Sequence, residues 1–198
     1  IPPSPLPRVV RVERTWEQAW HEALYGEGGF YRRPEGPAGH FATSAQGGAA
    51  ELLAGALLEL ARRESLTTIV DVACGRGELL EALAAQADPS IRLVGTDVVD
   101  RPADLAQRVE WVRSPGGRHL PDLGHLTGAL VLAHEWLDVV PCPVAEVDDD
   151  GTLREVHVGP SGAERLGPPL GGADLEWADT WWPAPREPGD RVEVGRTR

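Results

Sequence analysis

Two groups of residues in this chain have the types and spacing for chemistry. The first is the run Ile69-Val70-Asp71-Val72-Ala73-Cys74-Gly75-Arg76-Gly77-Glu78-Leu79-Leu80. It reads as an apolar strand that ends in a tight glycine turn and passes straight into an amphipathic helix. That geometry presents backbone N–H groups and a helix N-terminus at the C-terminal edge of a strand, where α/β sheets bind nucleotide-like ligands. About 20 residues past Gly77, a second strand, Ile91-Arg92-Leu93-Val94-Gly95-Thr96, delivers Asp97, a carboxylate placed to accept both hydroxyls of a ribose. The second group is Ala133-His134-Glu135-Trp136-Leu137-Asp138, just past another apolar strand. Glu135 falls at the sheet edge expected to face the ligand, with Asp138 one helical turn on. Carboxylates in such a place can orient a cationic group and disperse its charge.

The order strand, turn, helix, strand, acid is the context the glycine motif needs. Dinucleotides and S-adenosylmethionine both use it. The dinucleotide fingerprint Gly-x-Gly-x-x-Gly puts its last glycine in the helix, and that position is Leu80 in this chain. Asp71-x-Ala73-x-Gly75-x-Gly77 instead resembles the Asp/Glu-x-Gly-x-Gly-x-Gly motif of class I S-adenosylmethionine-dependent methyltransferases, with Ala73 in place of the first glycine. On that resemblance Asp71, Ala73, Gly75, Gly77 and Asp97 are the cofactor-binding candidates. The competing explanation is an ordinary βαβ turn that binds nothing.

The elements that must position these residues follow from periodicity. Residues 1–14 read as an extended arm. Thr15-Trp16-Glu17-Gln18 is a capping-box start, and Trp16, Ala19, Trp20, Ala23 and Leu24 give the next helix an apolar face. Residues 26–48 read as a Gly/Pro-rich loop, and 47–63 as a helix burying Leu52, Leu53, Ala56, Leu57 and Leu60. The first strand spans 68–73. The helix after it buries Leu79, Leu80, Leu83, Ala84 and Ala87 and stops at Asp88-Pro89. A third strand is expected at 109–112. A fourth, Ala129-Leu130-Val131-Leu132-Ala133, is a continuous apolar run suited to a parallel strand covered on both faces. Residues 144–147 and 153–158 flank Asp148-Asp149-Asp150-Gly151, a hairpin signal. That acidic run is read as a solvated turn, because the further ligand spacings of a calcium loop are missing. Residues 159–189 are rich in Gly and Pro, with Trp177, Trp181 and Trp182 expected to pack, and 191–194 read as one more short strand.

Composition narrows the function classes. A length of 198 residues suffices for one domain with a real core plus an appendage. The formal charge is −12, with 19 cationic side chains, all arginine. Affinity for nucleic acid is largely cationic, so no nucleic-acid partner is expected, whereas a cationic partner is easily accommodated. No apolar run approaches membrane-spanning length and no signal peptide is visible. Membrane insertion is therefore not expected, and a cytoplasmic location is. Cys74 and Cys142 form no Cys-x-x-Cys pair, so no metal site is expected and both read as reduced thiols. The start at Ile1, without methionine, suggests a trimmed chain.

Five segments together resemble the MidA-like methyltransferases, the family that includes the mitochondrial complex I assembly methyltransferase. Ala23-Leu24-Tyr25-Gly26 through Gly29-Phe30-Tyr31 is similar to the family's "ALY…GYY", and Gly39-His40-Phe41-Ala42-Thr43-Ser44 to "GDFxTSPE". The glycine turn is the third segment. Ala133-His134-Glu135-Trp136-Leu137-Asp138-Val139-Val140-Pro141 is similar to "NEFLDALP", and Pro188-Gly189-Asp190-Arg191-Val192-Glu193-Val194 to "PGxRxEV". Order and spacing agree across residues 20–195. Departures are His40 for an acid, Ala45 for a proline, Gln46 for a glutamate and His134 for an asparagine.

The resemblance implies a Rossmann-like class I methyltransferase fold, α/β in class. Here it would be truncated, with an N-terminal helical segment and a β-hairpin insertion after the fourth strand. Family members have seven strands and continue past the "EV" strand. The expected organisation is an arm and helical cap over 1–65, a cofactor-binding core over 66–143, and a hairpin with a Gly/Pro/Trp-rich extension over 144–198. The implied activity is S-adenosylmethionine-dependent methylation of a protein arginine, with Glu135 and Asp138 as catalytic candidates holding the guanidinium. Thr43, Ser44 and His134 join the cofactor-binding candidates. Thr43 and Ser44 could equally cap the following helix, Glu135 could cap the helix after it, and His134 could be a general base or a structural residue. The alternative to an enzyme is a cofactor-binding assembly factor that has lost turnover, which the departures at His40, Gln46 and His134 favour. A nucleotide-dependent oxidoreductase is disfavoured by Leu80.

Overall fold

A computed structural model describes residues 13–197 of the chain, so most of the expected N-terminal arm lies outside the described residues. The elements are β1 (Arg14–Thr15), α1 (Trp16–Tyr25), α2 (Gly47–Arg63), β2 (Thr68–Val72), α3 (Glu78–Gln86), β3 (Arg92–Asp97), β4 (Val109–Arg113), β5 (Ala129–Leu132), β6 (Val144–Val147), β7 (Leu153–Val158), β8 (Glu164–Pro169), α4 (Gly172–Trp181) and β9 (Arg191–Glu193). They divide into two compact units: Glu22–Val140, and the remaining described residues on either side of it. The first boundary falls within α1. The helical segment around α2 belongs with the parallel sheet rather than with the N-terminal residues, because Ala54, Leu57 and Ala61 share a core with Ile69, Leu79 and Leu93.

The Glu22–Val140 unit is α/β, built on a parallel sheet of order β4-β3-β2-β5. All five residues of β2 are buried, as its apolar sequence requires for a central parallel strand. Ile69 faces the α2/α3 core, while Val70 and Val72 join Val94 in a separate cluster. Helix α3 inserts Leu79, Leu80 and Leu83. The face of α2 differs from the leucine-based expectation. Ala50, Ala54, Leu57 and Ala61 are buried, Leu52 is 80% exposed and Leu60 is 41% exposed. Small side chains at helical spacing let α2 approach the leucine-rich α3 closely, and a leucine row would hold the two apart.

The second unit is an antiparallel sheet of order β1-β7-β6-β9, with β8 pairing β7. The β6–β7 hairpin stands at its centre. In its turn Asp148 Oδ1 accepts the N–H groups of Asp150 (3.0 Å) and Thr152 (2.8 Å). Thr15 and Gln18 form the expected reciprocal capping box, Gln18 N–H to Thr15 Oγ1 at 3.3 Å and Thr15 N–H to Gln18 Oε1 at 3.2 Å.

The Gly/Pro-rich stretch contains β8 and α4. β8 carries Pro168 and Pro169, which a strand paired on one side only tolerates. α4 buries Ala178 and packs Leu175 and Trp177 against Ala145, Val147 and Leu153. Trp182 packs there too, whereas Trp181 is 71% exposed.

Candidate functional site

β2 leads to β3 and then β4 on one side, after which the chain returns to place β5 on the other side of β2. The C-terminal ends of β2 and β5 thus flank a topological switch point, the crevice where open α/β sheets take ligands. Asp71 lies opposite Gly95 of β3 and Leu132 of β5, so the three strands end level with one another. Asp97 at the end of β3 and residues of the segments that follow the strands, Ala73–Gly75, Val98–Val99, His134–Trp136 and Asp138, line one cavity of about 180 Å³.

The backbone there is held in uncommon conformations. Gly75 has φ +62° and Gly77 has φ +84°. A Cβ at Gly75 would meet only Glu78 Oε2 at 3.3 Å beyond its chain neighbours, so this turn presents open backbone to the cavity. At Gly77 a Cβ would sit 2.8 Å from Leu105 Cδ1; that glycine permits packing and is not on the cavity wall. Ala73, where the motif has glycine, has φ +56°, and Glu135 has φ +54°. Left-handed backbone at non-glycine residues costs on the order of 1 kcal/mol or more and clusters at functional sites.

Asp97 braces the turn. Its Oδ2 accepts the Gly75 N–H at 2.9 Å and its Oδ1 the Val99 N–H at 3.3 Å. The wall carries the carboxylates of Asp71, Glu78, Asp97, Glu135 and Asp138. The guanidinium of Arg76, also on the wall, is turned onto the backbone carbonyls of Arg33 and Pro34. Burial, with the charges of Asp97 and Glu78 adding to it, pushes the Asp71 carboxyl up to about 7. Burial also raises Asp97, against the pull of the N–H groups of Val99, Gly75 and Val98. The Tyr31 phenol rises to about 12 through burial and then the charge of Asp138. Such a field favours an entering cation.

The structure brings Asp71, Ala73, Gly75, Asp97, Thr43, His134, Glu135 and Asp138 to this wall. Ser44 stands behind it, its Oγ 2.8 Å from His134 Nε2. Neither Thr43 nor Ser44 caps α2, whose N-cap is Gln46 without a side-chain hydrogen bond. Glu135 precedes a short 3₁₀ turn over Leu137–Val139 that holds Asp138. Several wall residues lie in the family-like segments without being among the predicted site residues. Tyr25 donates its O–H to the Val139 carbonyl at 2.8 Å and stacks on Tyr31 at 5.6 Å. Trp136 donates its indole N–H to the Gly117 carbonyl at 3.2 Å. Glu78 was visible only as an acid in a helix's first turn.

No protein-family model and no curated protein matches the chain. Solved structures share its fold. One is an uncharacterized COG1565 superfamily protein from Burkholderia thailandensis, with a TM-score of 0.60 and 20% identity over 93% of this chain and 50% of its own. Another, from the same organism and superfamily, is named as a candidate methyl transferase and was solved bound to S-adenosyl-homocysteine. It gives a TM-score of 0.57 and 19% identity over 85% of this chain and 49% of its own. The chain thus spans about half the length of these structures. At such identity the likeness is one of fold.

Proposed function

We propose that this chain binds S-adenosylmethionine in the cavity at the ends of β2, β3 and β5 and serves methyl transfer to a protein arginine. The observation that carries this reading is the convergence of the open glycine turn, Asp97 and the Glu135–Asp138 segment on one cavity at the switch point. It is supported by the similarly folded Burkholderia protein that holds S-adenosyl-homocysteine.

The residues present fit that cofactor. The turn at Gly75 leaves backbone open where a Cβ would intrude, and five wall carboxylates face a single guanidinium already turned to carbonyls. That donor set suits a ligand carrying a sulfonium, an ammonium and ribose hydroxyls. Asp97 would take the hydroxyls, and Asp71, Ala73, Thr43 and His134 would complete the contacts. When bound, the cofactor supplies an electrophilic methyl group on sulfur. Glu135 and Asp138 would hold a guanidinium beside it, aligning the nucleophilic nitrogen and dispersing charge.

Calorimetry with S-adenosylhomocysteine and with NAD tests the cofactor: binding of the first and not the second is expected, and the reverse sinks the reading. Glu135→Gln keeps the shape and removes the charge. It should lower tritiated methyl incorporation into a protein acceptor at least tenfold while sparing cofactor affinity. Equal incorporation by variant and wild type would remove the clamp. Tight cofactor binding with no incorporation by wild type would point to an assembly factor that has lost turnover.

A further inference from the structure

Two exposed apolar side chains line the cavity. Phe41 is 49% exposed and Leu120 is 52% exposed, and both line the cavity from separate segments. Phe41 is held rather than merely left exposed. It stacks on Phe30 at 6.3 Å, Phe30 meets Tyr31 edge-on at 5.2 Å, and Tyr31 stacks on Tyr25. Tyr25 is buried and anchored through its hydroxyl to the Val139 carbonyl. A row of rings thus runs from the buried interior to the mouth and fixes the outermost ring there. A preorganised aromatic ring binds with little loss of side-chain freedom. On the same cavity stand Glu135 and Asp138, with a side-chain exposure of 54% for Glu135.

We propose that this mouth binds an extended peptide in which a bulky apolar residue flanks the arginine, the apolar side chain resting on Phe41 and Leu120 and the guanidinium meeting Glu135 and Asp138. The proposal rests on the arginine reading above and adds the requirement for the neighbour. Charge complementarity selects a cation for the acids of the cavity, and the two exposed apolar side chains lining the same cavity select an apolar neighbour over an acidic or purely polar one.

The test is fluorescence anisotropy of the 198-residue chain with labelled five-residue peptides. The central residue is arginine, lysine or citrulline, and the flanks are leucine or glycine. Leucine flanks should tighten binding of the arginine peptide about tenfold. Phe41→Ser and Leu120→Ser together should erase that preference, with Leu120→Ser alone, on an exposed loop, reducing it. Circular dichroism and thermal melting check that the variants fold. Equal binding of leucine- and glycine-flanked peptides, or a preference that survives both substitutions, overturns the proposal. If leucine-flanked citrulline binds as tightly as leucine-flanked arginine, the apolar pair stands and the guanidinium clamp is what fails. If arginine beats citrulline with no gain from leucine, the clamp stands and the apolar pair is overturned.

Discussion

The two units differ in the polar groups they bury and in the acids they gather at a cavity. Among the described residues the buried polar side chains are Thr68, Asp71 and Thr96, and all three belong to the parallel sheet. The antiparallel unit buries Ala145, Val147, Leu153, Leu170, Ala178, Val192 and Val194. Its acids pair at the surface: Asp148 with Arg154, Asp179 with Arg186, and Glu146 and Glu164 with Arg191. Paired charges satisfy one another and leave nothing for a ligand. In the parallel unit Glu59, Asp100 and Glu110 pair with arginines in the same way, but Asp71, Glu78, Asp97, Glu135 and Asp138 face a common cavity, where burial and neighbouring carboxylates raise Asp71 and Asp97. Such an imbalance is tolerated where a bound cation resolves it.

The largest effect is expected where the two cores are damaged. Leu83→Ala in the parallel unit and Leu153→Ala in the antiparallel one each remove a buried leucine, for a loss of about 2–5 kcal/mol. Amide hydrogen exchange should show lost protection confined to the damaged unit. Equal loss in both would mean that they unfold as one and would erase the distinction.

A smaller effect separates the acids. Asp97→Ala should weaken S-adenosylhomocysteine binding by about 1.5–3 kcal/mol, roughly ten- to a hundredfold, as charge-assisted hydrogen bonds are lost. Glu164→Ala, in the other unit, should leave it unchanged. A calorimetric titration that finds Asp97→Ala unaffected would place the ribose site elsewhere.

Asp71 sharpens the comparison through pH. Its carboxyl is raised to about 7 in the folded chain, against about 4 when unfolded. Between those values the folded state binds the extra proton, so the contribution to stability is full below about pH 4 and is lost as pH rises to about 7. Urea unfolding at several pH values should show that fall, and Asp71→Asn should flatten it. An unchanged slope in Asp71→Asn would assign the dependence to other groups.

The smallest effect belongs to the surface pairs. Arg191→Ala removes a cation shared by Glu146 and Glu164 at a partly exposed site. The cost should stay within about 1 kcal/mol and shrink in salt. A larger loss by denaturant melting would show that the antiparallel unit also depends on its charges.

Local signals carried much of this structure. The capping box at Thr15 and Gln18, the hairpin turn at Asp148 and the strands at 68–72 and 129–132 depend on neighbours in sequence, whose spacing is visible directly. β8 and α4 carry no clear local pattern because of their prolines and glycines, while their pairing with β7 and packing on the β6–β7 core involve residues far away in sequence. The face of α2 was misplaced for a related reason. Leucines dominate a hydrophobic pattern, yet the partner helix decided that alanines go inward.

The residues themselves determined that a strand, a glycine turn and a helix would follow Thr68, because φ preferences, apolar alternation and helix propensity act within a few residues. Only the tertiary structure placed β5 beside β2 and so brought Glu135 and Asp138 to the same cavity as Gly75 and Asp97. It alone built the row of rings from Tyr25 to Phe41. Those contacts join segments whose meeting depends on strand order and shared burial, and no short stretch of sequence specifies either.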